Sequence, residues 1–239
     1  MNNKLKEEFI LNFKKGWTLI LLTLFAAFSV VATVNAADSN ANITFTPAED
    51  TPPVLDPTDP DLPYDPDPED PTDPQDPPTE ESGPLTLDYV SSVNFGEQQI
   101  ESSTQVYEST TLRPFIQVTD RRGTGEGWNV TAQASGFTSS GNETLPGAVL
   151  TFANGTVIST STSPAPTTTD PVVLNTGGEA ANVVTAAEDE GLGSWITRWF
   201  PAGAGDTNDS VTLQVPGGSA TTGDHTAVIT WTLTAGPGQ

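Results

Sequence analysis

The stretch that decides the fold is His225-Thr-Ala-Val-Ile-Thr-Trp-Thr-Leu-Thr234, in which apolar residues alternate with threonine. A period of two places alternate side chains on opposite faces of a strand, so this stretch predicts a half-buried β-strand with Trp231 and Leu233 on one face. A second stretch far upstream, Gly127-Trp-Asn-Val-Thr131, repeats the pattern. We predict that these two tryptophan-bearing strands come together in one domain.

The chain from Pro84 onward is typical of an all-β domain. Short runs rich in Val, Thr, Ile and aromatic residues alternate with turn-forming pairs such as Asn154-Gly155 and Gly217-Gly218. No run shows helical periodicity, so we expect a β-sandwich or barrel-like single domain over residues 84–239. The predicted strands are 85–90, 92–95, 113–119, 127–134, 148–152, 157–160, 171–174, 182–187, 195–200, 210–215 and 227–235.

The paired motifs Trp128-Asn-Val130 and Trp231-Thr-Leu233 resemble the WxL domain of Gram-positive surface proteins. The similarity extends to the blocks 113–128 and 183–195. Val130 stands where the family has leucine, and a branched apolar side chain keeps the inward position. The resemblance implies non-covalent attachment to the cell wall, with peptidoglycan as the ligand. It also implies partnership with other surface proteins of the same WxL locus.

Residues 1–36 have the features of a secretory signal peptide. Four lysines precede an apolar run from Trp17 to Val34 that ends in small residues, so we expect cleavage before Ala37 and no membrane span afterwards. An uncleaved N-terminal anchor is the alternative, since the run is long enough to cross a bilayer. The cleaved chain keeps four arginines against 29 carboxylates, a net charge of −25. This charge repels nucleic acid and anionic lipid, so we expect neither as a partner.

Residues 37–83 predict a disordered, acidic, proline-rich spacer. Between Pro47 and Glu81 there are 12 prolines and 13 carboxylates and no basic residue. Proline removes backbone donors and like charges repel, so we expect this stretch to be extended and unpacked. Just before it, Ile43 and Phe45 alternate with threonine, and an edge strand or a docking peptide are the alternatives to disorder there.

Eight residues are candidates for a binding surface, and each has a structural alternative. They are Asp120, Arg121, Arg122, Trp128, Val130, Trp199, Trp231 and Leu233. Tryptophan on a sheet surface stacks on a sugar ring or fills a partner's pocket, but it more often packs into the core. The Asp-Arg-Arg loop is suited to a bidentate contact with a peptide carboxylate, or its arginines pair with the chain's own acids. Trp199 matches no landmark of the family, which makes it our preferred residue for a specific contact with a partner.

Catalysis and metal binding have little support in the sequence. His225 is the only histidine, there is no cysteine, and no lysine follows residue 36. A nucleophile scheme would have to rely on His225 alone, and a zinc site with three or four His or Cys ligands is excluded. A glycosidase with two catalytic carboxylates stays open on composition, with Glu188, Asp189 and Glu190, but these residues lie in a Gly-flanked acidic loop that is more typical of a solvated turn. We therefore expect a secreted binding protein of the cell wall surface, not an enzyme, with no metal or other cofactor. The alternatives are an adhesin for host or plant glycans and an assembly protein that binds only partner surface proteins.

Overall fold

The computed structural model describes residues 37–70 and 73–237, and every regular element in these ranges is a β-strand. The all-β class predicted from the sequence is confirmed. The predicted signal peptide, residues 1–36, lies outside the described residues. The strands are β1 (Leu85–Val90), β2 (Gln105–Ser109), β3 (Phe115–Asp120), β4 (Trp128–Ala134), β5 (Phe137–Ser139), β6 (Asn142–Thr144), β7 (Val149–Phe152), β8 (Thr156–Ile158), β9 (Thr167–Thr168), β10 (Val172–Asn175), β11 (Ala181–Ala186), β12 (Gly193–Arg198), β13 (Asn208–Val215) and β14 (Ile229–Ala235).

Three four-stranded antiparallel sheets and one hairpin arrange these strands. The first sheet has the order β1-β3-β12-β8, the second β10-β7-β13-β2 and the third β14-β4-β11-β9, while β5 pairs with β6. All three sheets contribute to one main core, with Ile116 from the first, Phe152 from the second and Val184 from the third. Because the chain has no cysteine, this shared core is what holds the sheets together.

The two tryptophan-bearing strands, β4 and β14, are neighbours in the third sheet. They pair antiparallel, with Leu233 opposite Val130 and Ala235 opposite Trp128. The prediction that these distant strands come together in one domain is confirmed. Within residues 37–70 and 73–237, strand β14 is at the end of the sheet order, and one of its two edges is paired with a strand.

The sequence located most strands but missed β2, β5, β6 and β9, and the predicted strand 92–95 does not form. Strand β2 was missed because its apolar residues are adjacent rather than alternating, and Val106 faces solvent at a sheet edge. The other three have three residues or fewer. Strand β12 begins at Gly193 and ends at Arg198, so Trp199 lies just beyond the strand in which we expected it.

The first sheet is covered on both faces. All six residues of β3 are buried, whereas a strand with one face in water alternates between buried and exposed. The face away from the main core is covered by residues 47–70 and 73–83, which we call the acidic segment. Its residues Val54 and Tyr64 join Tyr89 and Phe115 in a separate apolar cluster. Tyr64 meets both rings edge-on, with centroid distances of 5.5 Å to Tyr89 and 5.0 Å to Phe115.

Polar contacts fix the acidic segment to the same sheet. Gln117 of β3 is fully buried, and its side-chain oxygen accepts a hydrogen bond from the N–H of Leu55 at 2.7 Å. Its side-chain nitrogen donates to the carbonyl of Pro53 at 2.9 Å. Arg113, which precedes β3, pairs with Asp73 at 2.6 Å. Each contact satisfies a polar group that would otherwise be costly to bury.

Two more arginines reach the acidic segment. Arg121 pairs with Asp50 at 2.8 Å, and Arg198 donates to the carbonyl of Pro57. The expectation of a disordered spacer is therefore corrected over residues 50–70 and 73–83. The high proline and carboxylate content argues only against a hydrophobic core formed by the segment alone. In the structure, the segment instead contributes isolated apolar and polar residues that pack on the first sheet. Residues 37–46 form no strand and are exposed.

Candidate functional site

Trp128 of β4 lies inside the third sheet and is fully buried. Its indole N–H donates to the carbonyl of Gly191 at 3.0 Å. Gly191 has a φ of +72°, and a Cβ at this position would lie 2.6 Å from the indole nitrogen, so glycine is needed to admit the ring. The ring is covered and its polar atom is satisfied. Trp128 therefore packs the core and does not meet a ligand directly.

Trp231 of β14 is only half-buried. Its ring lies 6.0 Å from Phe152 and 6.1 Å from Trp199, measured between centroids, so two buried aromatic rings support it from the core side. Among the described residues, no hydrogen bond is made by its indole N–H. Trp231 thus combines a supported ring, an accessible surface and an available donor.

Val130 and Leu233 stand opposite one another on β4 and β14, on the face that carries both tryptophans. Val130 is fully buried and Leu233 is half-buried. Replacement of leucine by valine in the first motif keeps the inward apolar side chain. The two motifs therefore differ in accessibility more than in chemistry, since the first lies in the sheet interior and the second at its edge.

Trp199 follows β12 and is 1% exposed. Its ring packs 5.0 Å from Phe152, and the backbone N–H donates to the carbonyl of Pro114 at 3.0 Å. This burial corrects the expectation that Trp199 offers a specific contact to a partner, because its ring is not accessible. Trp199 instead supports Trp231 from beneath.

The Asp-Arg-Arg loop is engaged within the fold. Asp120 is 2% exposed and accepts two hydrogen bonds from the guanidinium of Arg122, at 3.0 and 2.7 Å. The hydrogen bond to Asp120 raises the pKa of Arg122. Arg122 also donates to the carbonyl of Gly127 at 2.7 Å, next to the first tryptophan strand, and Arg121 pairs with Asp50. A ligand carboxylate would have to displace these partners, so the contacts agree with the alternative of internal ion pairs.

Two contributors to the site were not singled out in the sequence. Gly191 lies between the predicted strands 182–187 and 195–200, and its carbonyl and its positive φ are what accommodate Trp128. Phe152 fell in a predicted strand, but nothing in a single sequence shows that its ring touches two tryptophans. For Gly191, the signal in the sequence was a glycine that follows an acidic turn. For Phe152, the sequence offered no signal.

The described residues hold no cluster of three or more His, Asp or Glu side chains that is placed to bind a metal ion. Across residues 37–70 and 73–237, no helix has the length and apolar character needed to cross a bilayer. What the geometry provides is a supported, half-exposed tryptophan on an edge strand, in a stretch (226–237) without a charged side chain. This arrangement is that of an all-β binding module.

A family model described as "WxL domain surface cell wall-binding" matches residues 32–237. The chain therefore belongs to the WxL family, which is a family of cell-surface binding domains and not of enzymes, and its location is the cell surface. The resemblance seen in the two tryptophan motifs is confirmed. The match includes the acidic segment, in agreement with the packing of that segment on the first sheet. No curated protein and no solved structure matches the chain.

Proposed function

We propose that the chain attaches non-covalently to the peptidoglycan of a Gram-positive bacterium and takes part there in a multiprotein surface complex. The observation that supports this most strongly is the match of residues 32–237 to a cell wall-binding domain. In this proposal residues 1–36 direct secretion and are removed before Ala37. The exported protein then meets the wall as a folded module.

The charge of the protein favours an uncharged part of the wall as the ligand. Arg113, Arg121 and Arg122 pair with carboxylates, and Arg198 donates to a carbonyl and lies 4.9 Å above the ring of Phe200. The described part of the chain contains no lysine, so all of its strong cations are engaged. Phosphate-rich wall polymers would therefore be repelled. Sugar rings and uncharged peptide groups are suitable ligands.

Trp231 is the residue that we assign to the wall contact. Phe152 and Trp199 hold its ring in place, which lowers the entropy that binding would otherwise cost. The exposed part of the indole offers an apolar surface beside one hydrogen-bond donor, and this combination suits stacking on a sugar ring. Leu233 lies on the same face of the strand and extends the apolar surface.

Sedimentation with purified peptidoglycan tests the proposal. The substitution Trp231→Phe keeps an aromatic ring against Phe152 but removes the indole N–H and part of the ring surface. We expect it to weaken wall binding roughly tenfold, equivalent to about 1.4 kcal/mol, with little change in melting temperature. Val106→Ala, at an exposed position on β2, is the matched control and should bind as the wild type does. Wild-type protein that stays in the supernatant would contradict direct attachment.

A second arm separates direct attachment from attachment through a companion. Surface proteins of the same locus are added to the sedimentation assay, singly and together. Binding without them supports the proposal, whereas binding that requires a companion supports the assembly-protein alternative, and indifference to both leaves the glycan-binding adhesin. Non-covalent attachment predicts that hot detergent releases the protein from cells without wall-degrading enzymes.

A further inference from the structure

Strand β14 has a backbone edge that no strand of the described residues covers. Ser135 N–H donates to the carbonyl of Val228 at 2.8 Å, and Gly236 N–H donates to the carbonyl of Gly127 at 3.0 Å. These two bonds fix the even-numbered residues of β14 as the ones bonded to β4, because backbone groups along a strand alternate in direction. The N–H and C=O groups that point away from the sheet belong to Ile229, Trp231, Leu233 and Ala235.

The edge of β1 shows how this chain closes an edge elsewhere. Thr79 of the acidic segment donates its N–H to the carbonyl of Asp88 at 2.9 Å, and the N–H of Leu87 donates to the carboxylate of Glu81 at 3.0 Å. No comparable bond reaches the outward groups of β14 from the described residues. Strand β1 approaches β14 but forms no ladder with it. An uncovered edge of this kind is a template for an added strand.

The side chains of β14 define what such a strand must contain. Ile229, Trp231 and Leu233 are half-buried and pack against the main core. A strand added beside them would extend the same face, so it must present apolar residues at every second position. Residues 226–237 carry no charge, so a charged partner would be desolvated there without an ion pair in return, whereas an uncharged partner avoids that cost.

The chain itself contains a stretch with these properties, Asn42-Ile-Thr-Phe-Thr46. Its apolar side chains are among the most exposed in the protein, with Ile43 at 78% and Phe45 at 84%. β-Branched and aromatic residues favour strands, and the stretch is uncharged in a protein whose net charge otherwise keeps copies apart. Five extended residues span about 17 Å, which fits within the roughly 23 Å of a seven-residue strand.

We propose that residues 42–46 of one copy pair with the outer edge of β14 in a second copy. Backbone hydrogen bonds form to the outward groups of Trp231 and Leu233, while Ile43 and Phe45 extend the apolar face beside them. Donor segment and acceptor edge are different parts of the chain, so the contact is heterologous. It closes into an exchanged dimer or a ring, or continues as an open row of copies.

Analytical ultracentrifugation of the chain from Ala37 onward tests the proposal over about a hundredfold range of concentration. We expect the average mass of the wild type to rise with concentration. The double substitution Ile43→Asp with Phe45→Asp should raise the dissociation constant at least tenfold, because it places charge against an apolar edge. Val106→Asp, on the exposed part of β2, is the control that keeps association.

Hydrogen exchange at the amides of Trp231 and Leu233 locates the contact. Exchange should slow as the concentration of the wild type rises, and should stay fast in the Ile43→Asp, Phe45→Asp protein. A wild type that is monomeric throughout would overturn the proposal, as would association that survives the double substitution. Protection that does not depend on concentration would also overturn it, because it would place the chain's own segment on the edge. None of these readings uses peptidoglycan, so they are independent of the proposed wall attachment.

Discussion

The outer face of the first sheet and the edge strand β14 of the third sheet are both apolar, but only the first is fully covered. Over the first sheet, Tyr89 and Phe115 lie beneath Tyr64 of the acidic segment, and Gln117 bonds to its backbone. At β14, Trp231 stays half-exposed and the outward backbone groups make no bond within the described residues.

This difference separates the part of the molecule that provides stability from the part that is available for recognition. The acidic segment engages three of the four arginines of the described chain, and these contacts have no counterpart at β14. We propose that β14, an apolar strand left open within the described residues, serves as an interaction surface. We therefore expect similar substitutions to have different effects in the two regions, with the larger loss of stability where the side chain is covered.

The largest expected effect distinguishes the two tryptophans of the paired motif. Trp128→Ala removes a fully buried ring and should lower the free energy of unfolding by roughly 3–5 kcal/mol. Trp231→Ala should cost about half as much, because its ring is already partly in water. Urea denaturation of both proteins measures the difference. Equal losses of unfolding free energy would mean that Trp231 on β14 is as deeply buried as Trp128 on β4, which would contradict the account.

The next effect tests the cover over the first sheet. Tyr64→Ala removes the edge-on ring contacts with Tyr89 and Phe115 and the bond from the Tyr64 hydroxyl to the carbonyl of Pro74, and should cost roughly 2–4 kcal/mol. Tyr64→Phe is the matched control, since it loses only the hydroxyl and should cost about 1 kcal/mol. The melting temperatures of the two variants measure the difference. A neutral Tyr64→Ala would show that the acidic segment adds nothing to stability.

A smaller effect comes from the polar link between segment and sheet. Gln117→Leu leaves the N–H of Leu55 and the carbonyl of Pro53 without partners, and should cost about 1–3 kcal/mol. Gln133→Leu is the control, because Gln133 lies on β4 with its side chain exposed and bonded only to Gly178. We expect the control to change the unfolding free energy by less than about 0.5 kcal/mol. Similar losses in both proteins would argue against a specific link.

The smallest effect depends on pH. Burial raises the pKa of Asp88 above its ordinary value of 3.8, although hydrogen bonds from Thr119, Thr86 and Gln117 oppose the shift. Because the folded protein holds this proton more tightly than the unfolded chain, the contribution to stability is present below pH 3.8 and is lost as pH rises through the folded-state pKa. The stability of the wild type relative to Asp88→Asn should therefore increase as pH is lowered from 7 towards 4. A difference that does not vary with pH would contradict the raised pKa.

The sequence predicted the regions in which local pattern and packing agree. Strand β14 was predicted because its apolar residues alternate, and its pairing with β4 followed from the repeated tryptophan motif. The register of that pairing and the different burial of Trp128 and Trp231 were beyond the sequence. They depend on which strand ends the sheet, and this is set by contacts between distant residues.

The acidic segment was wrongly predicted to be disordered, because its composition indicates only whether the segment can fold by itself. Proline and aspartate dominate it, and the residues that anchor it, such as Val54 and Tyr64, are isolated and follow no period. Their partners on β3 and β1 also looked ordinary, since a strand buried on both faces gives no sign of what covers it. Trp199 was misjudged for a related reason, because its burial depends on Phe152 and Trp231.

The account is tested most directly by comparing the melting of the chain that starts at Ala37 with that of the chain that starts at Pro84. Without the acidic segment, the apolar surface of Tyr89, Phe115 and Ile196 would face water, and Gln117 would lose its two bonds to the backbone of the segment. We predict that the shorter protein loses cooperative melting, since the loss is comparable to the roughly 5–15 kcal/mol of a whole domain. A shorter protein with the melting temperature of the longer one would contradict the account, and would restore the segment to the role of a spacer.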